Sequence, residues 1–221
     1  MKKTLLPWQL LTLVAVLAPT FYLAYTWSEL PAQIPTHFDG SGQANGYTSR
    51  ADMWLLTLGL PLGLGLVLSI LPRLDPKRRL SSDTVNFQKL RLALVAMASS
   101  MAAYSLYAAV HPGSVSGRGI IVLVGLFFAF LGNYLTTVQP NYFVGIRTPW
   151  TLESPAVWAR THRVGGMLFC AAGVLVAGLS LVLPARWLSP MLLGLILSSA
   201  AFCYAYSYFV FRQQEKPGKT L

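Results

Sequence analysis

Hydrophobic residues fall into six long blocks along this chain, and nearly all charged residues collect between them. The blocks cover roughly 6–27, 52–71, 91–110, 119–138, 164–183 and 189–211. Each is close to the ~20 residues a helix needs to cross bilayer hydrocarbon. Between their flanking residues none contains Asp, Glu, Lys, Arg or His. In lipid every backbone polar group must be bonded within the chain, so only helices or a closed barrel can span. Barrel strands alternate apolar and polar positions, whereas these blocks are continuous, so each predicts a helix. The expected architecture is an all-α integral membrane protein with six transmembrane helices and a turn-rich first extracytoplasmic loop.

Composition strengthens this reading. Hydrophobic residues make up 54% of the chain and charged residues 11%, against about 25% charge in a soluble domain. Disorder and an ordinary soluble globule are both excluded. Lys2 and Lys3 precede the first block as in a signal peptide. However, the apolar stretch is about twice the usual core, and no small-x-small cleavage site follows, so the block is expected to stay as a helix. Cys170 and Cys203 lie inside blocks and read as small buried side chains.

The net charge is +10, and its position decides its meaning. One side of the expected topology collects Lys2, Lys3, Arg73, Lys77, Arg78, Arg79, Lys89, Arg91, Arg147, Arg160, Arg163, Arg212, Lys216 and Lys219; the other holds Arg50, Arg118 and Arg186. This asymmetry puts both termini in the cytoplasm. The basic side then faces anionic lipid, at about 1 kcal/mol per residue near the surface. Membrane lipids are thus the expected partners, with no direct contact to nucleic acid. Trp8, Trp27, Trp54 and Trp187 sit at block ends, as interface anchors do. Small residues four apart (Gly59 and Gly63, Gly125 and Ala129, Gly173 and Ala177) permit close helix approach, and Pro61 predicts a kink.

Two loops carry the candidate chemistry. The outer loop, 28–51, contains the turn signals Asp39-Gly40 and Asn45-Gly46, so an ordered cap with at most short strands is expected. Ile34, Phe38 and Tyr47 are its candidate apolar anchors; His37, Asp39, Asn45 and Tyr47 are its candidate site residues. Metal binding by His37 and Asp39 with Asp52 is a weak signal, and no metal or cofactor is expected. In the inner loop 72–90, Lys77, Arg78 and Arg79 form a basic cluster, and Ser82 or Asp83 is the expected cap of a helix beginning near Thr84. The inner loop 139–163 is too polar to span and unusually aromatic. Tyr142, Phe143, Trp150 and Trp158 suit the headgroup zone. Ser154-Pro155 reads as an N-cap and first helical position, which puts Trp158 and His162 on one helix face. Gly165-Gly166 is the expected bend into the fifth span. Arg147 has two readings. It pairs with Glu153, or it joins Arg160, His162 and Arg163 in binding an anionic headgroup or a protein partner. Asn133 is expected to make an interhelix hydrogen bond.

The same two loops carry a family resemblance. LPAQIPTHFDGSGQANGY (Leu30–Tyr47) resembles the domain of unknown function that often precedes the SdpI module. GNYLTTVQPNYFVGIRTPWTLESPAVWARTHRVGG (Gly132–Gly166) closely resembles the SdpI signature itself. The resemblance implies a two-span unit over 1–72, a basic cytoplasmic linker over 73–90 and a four-span module over 91–221. It also implies a bacterial inner-membrane immunity and signalling protein. Such a protein would meet a peptide toxin on one face and hold a helix-turn-helix repressor on the cytoplasmic face. On this reading Asn141, Tyr142, Arg147, Trp150, Glu153, Trp158, Arg160, His162 and Arg163 would form the partner- or headgroup-binding surface. The alternative is a lipid-binding or small-molecule transport protein, although spans without ionisable residues disfavour ion coupling. No enzyme is expected. His37 and His111 fall on one side and His162 on the other, and no nucleophile–base motif is present.

Overall fold

The computed structural model describes residues 5–39, 43–76, 80–113 and 118–214. The 77–79 basic cluster, Gly40, Gly42 and both terminal lysine pairs lie outside them. The helices are α1 (Leu6–Thr26), α2 (Leu60–Ile70), α3 (Val85–Val110), α4 (Arg118–Leu135), the short α5 (Pro149–Glu153), α6 (Pro155–Leu179) and α7 (Ala185–Gln214). Six helical segments are long and apolar enough to cross a membrane, the second running from Arg50 to Leu74 around α2. The chain is therefore an all-α multipass membrane protein. Several helices outrun their apolar blocks, so Lys89, Arg91, Arg160 and Arg163 ride on helix ends rather than in loops.

The second span is not a plain α-helix. A π-turn over Leu55–Gly59 precedes α2. Pro61 has no N–H to give to the carbonyl four residues back, that of Thr57. The Thr20 hydroxyl donates to that carbonyl instead, at 3.1 Å. The predicted disturbance at Pro61 is thus a π-turn whose freed acceptor ties α2 to α1.

Packing divides into two groups of helices. α1 and α2 pack on α3, α4 and α7 pack on α6, and α3 against α4 joins the groups. The α4–α6 contact is the most extensive, and glycine is the cause. A Cβ on Gly125 would lie 2.9 Å from the Gly173 carbonyl, and one on Gly166 would lie 2.6 Å from the Gly132 carbonyl. Backbone meets backbone along this seam, as in other small-residue membrane interfaces. Gly63, by contrast, has nothing within 4 Å, so the spacing in the second block marks no contact. Val14, Phe21, Leu66, Val174, Leu197 and Phe209 remain exposed on the bundle, a surface suited to lipid.

Buried clusters close the two ends. At one end Ile34, Leu23, Leu30, Met53 and Leu106 pack together. Ile34 comes from an antiparallel hairpin, β1 (Gln33–Phe38) and β2 (Ala44–Ser49), whose register is irregular at His37. Leu90, Tyr134, Val138 and Trp158 close the other end.

Candidate functional site

The inner loop is held by side chains that turn inward to its own backbone. The fully buried Asn141 amide donates to the Gln139 and Val144 carbonyls at 2.8 and 3.0 Å. Its oxygen accepts the Phe143 and Val144 N–H groups at 2.8 and 2.7 Å. All four side-chain bonding positions are therefore used. The loop then returns to the start of α6. The Ile146 N–H donates to Nε2 of His162 at 2.9 Å, and Nδ1 of His162 lies 2.9 Å from the Trp158 carbonyl. Because Nε2 faces a donor, the ring is neutral with its proton on Nδ1. Trp158 stacks on this ring with centroids 3.9 Å apart, and its indole N–H donates to the Val138 carbonyl at 2.8 Å. Gly145 makes the approach possible. Its φ is +122°, and a Cβ there would lie 3.1 Å from the Trp158 ring and closer still to His162.

α5 locks the next segment. Thr148 caps it by accepting the Thr151 N–H, and Thr151 accepts the Thr148 N–H in return. The buried Thr148 hydroxyl also lies 3.0 Å from Ser207 on α7. Trp150 packs on Tyr204 and Tyr208, with centroids 5.1 Å from each. Ser154 caps α6 as the sequence predicted, and it reaches Gln214 at 3.0 Å. The loop is therefore bonded to α6 and α7 along its length, while Trp158 fixes it to the end of α4.

Several expectations change. No ion pair joins Arg147 to Glu153 among the described residues; Arg147 is exposed and its guanidinium donates to the Tyr142 carbonyl. Trp158 is 2% exposed, so it is a core residue and not a headgroup anchor. Asn141, Trp158 and His162 are the buried frame of the surface, whereas Tyr142, Arg147 and Glu153 are exposed and Trp150 is half-buried. Gly165-Gly166 does not break the helix. α6 continues through them without interruption, and the two glycines admit Ile146 and Thr136. Thr84, not Ser82 or Asp83, caps α3 through the Phe87 N–H. Asn133 forms no interhelix hydrogen bond through its side chain among the described residues; it borders an apolar furrow instead.

Arg160 and Arg163 edge a groove of about 680 Å³, with Thr136, Thr137 and Gln139 on the facing wall and Trp158 and His162 at its floor. The threonines, Gly145, Thr148, Thr151 and Ser207 escaped the sequence reading. Thr148-Pro149 repeats the cap–proline signal recognised at Ser154-Pro155, so α5 was legible. The Ser207 contact joins residues 59 apart and left no local signal.

In the outer hairpin, Ile34 is the anchor and Phe38 meets Tyr104 edge-on at 5.9 Å. Tyr47 is 58% exposed and anchors nothing. His37 bonds Asn45, and the Asp39 carboxylate accepts the Gln43 N–H, which makes both turn-forming residues. Arg50 donates to the Trp27 and Leu30 carbonyls beyond α1, which ties the hairpin to that helix end.

Residues 137–207 match the family model described as SdpI/YfhL protein family, and residues 14–60 match a domain of unknown function, DUF1648. Over 57 residues the chain is 35% identical to the "Immunity protein SdpI" of Bacillus subtilis (strain 168). That stretch covers 26% of this chain and 28% of the relative. No solved structure matches the chain.

Proposed function

We propose that this membrane protein, which carries an SdpI-family module behind a DUF1648 segment, is an inner-membrane immunity and signalling protein. It protects its cell against a peptide toxin, and its loop face at 137–163 lies in the cytoplasm and holds a helix-turn-helix repressor. One observation carries the reading: the family match begins at the loop, includes α6, and follows α7 as far as Ser207, the residue that meets the loop at Thr148. A hydrophobic peptide that alters the spacing of α6 and α7 would strain the Thr148–Ser207 and Ser154–Gln214 bonds and so move the loop. Coupling of this kind requires two loop arrangements with different affinities for peptide and repressor. The positive bias of the loop end supports cytoplasmic termini.

The test is survival. Deleting the gene and challenging cells with the peptide toxin is expected to raise killing, and re-expression of the intact chain to reverse it. Unchanged sensitivity on deletion would remove the immunity reading. Tags at the two chain ends should report the same compartment.

A further inference from the structure

The groove beside Arg160 and Arg163 does not end at the loop. Thr136 lines both that groove and an apolar furrow of about 580 Å³ that runs along the α4–α6 seam past Met167, Ala171, Val174 and Leu175. On α6 the lining positions Arg163, Met167, Ala171 and Val174 recur at three- and four-residue spacing, so one helix face carries charge at its end and hydrocarbon below. Among the described residues neither Arg160 nor Arg163 has a hydrogen bond or ion pair, and no Asp or Glu lines the groove. The Thr136 and Thr137 hydroxyls already donate to the Asn133 and Tyr134 carbonyls. The free donors lining the groove are therefore the two guanidiniums and the Gln139 amide; of these only the guanidiniums carry charge, and they suit phosphate oxygens.

We propose that this face is a binding site for one anionic glycerophospholipid. The phosphate sits between Arg160 and Arg163, and an acyl chain lies in the furrow past Met167. Charge and apolar surface follow one another in the order such a molecule requires, and the site lies at the basic end of the bundle. This site does not depend on the immunity reading, and its failure would leave that reading intact.

The full chain in detergent is offered phosphatidylglycerol or phosphatidylcholine, and retained lipid is read by native mass spectrometry. Wild type should prefer phosphatidylglycerol roughly 30-fold, the scale of two near-surface cationic contacts of about 1 kcal/mol each. Arg160→Gln with Arg163→Gln should abolish the preference, whereas the paired Lys variants and Arg186→Gln, at the opposite end, should keep it. Ala171→Phe, at an exposed position in the furrow, should reduce phosphatidylglycerol retention without changing the elution volume of the protein. Equal retention of both lipids by wild type, or a preference unchanged in the double Gln variant, would overturn the site. Displacement of phosphatidylglycerol by inorganic phosphate, with Ala171→Phe inert, would replace the lipid with a free anion and overturn the proposal in this form.

Discussion

Replacing His162 with Leu tests the frame of the inner loop. Leucine fills similar space but removes the acceptor for the Ile146 N–H and the ring stacked on Trp158. Leaving a buried donor unpaired costs about 1–3 kcal/mol, and the low end applies because Ile146 is half-buried. A lost aromatic pair costs about 0.5–1.5 kcal/mol more. Together the local opening free energy should fall by about 2 kcal/mol, which raises exchange roughly 30-fold. Hydrogen exchange read on peptides covering 141–148 measures this, with the outer hairpin as an internal reference at the far end of the bundle. His162→Gln can offer its amide oxygen to the same N–H and should recover part of the protection. Exchange in His162→Leu within about twofold of wild type would refute the claim that this histidine orders the loop.

Other substitutions probe separate contacts. Gly145→Ala meets His162 and Trp158 at a positive φ, so it should destabilise the loop by about 1–3 kcal/mol and lower the thermal midpoint in detergent. Gly132→Val should disrupt the α4–α6 seam and cause misassembly on size exclusion, whereas Gly63→Val, in open space, should elute as wild type. Thr20→Val removes the donor to the Thr57 carbonyl and should cost about 0.5–1.5 kcal/mol in unfolding measurements. Arg147→Ala frees the Tyr142 carbonyl and should reduce toxin protection more than Lys77→Ala does, measured as survival on challenge.

The corrected residues share a cause. Trp158, His162 and Asn141 look like surface chemistry in a polar loop because type and position are all the sequence displays. In the fold the same groups turn inward, where a short loop without regular ladders needs side chains to satisfy its backbone. Arg147 and Glu153 lie six apart in the sequence, but the N-capped turn of α5 intervenes, and Arg147 takes the nearer carbonyl of Tyr142.

The spans themselves were written in the chain. Twenty-residue apolar blocks in lipid admit only helices, and the capping residue before a proline marks where α6 begins, so local composition suffices. Which glycines pack is a different matter. Gly59-Gly63 and Gly125-Ala129 carry the same spacing, yet only the second meets a neighbour, because a small residue matters only where another helix passes within contact distance. The groove likewise arises from elements separated by more than 20 residues, Thr136 and Arg160 on opposing walls. Only the packing of α4 on α6 brings those walls together, and no local pattern encodes that distance.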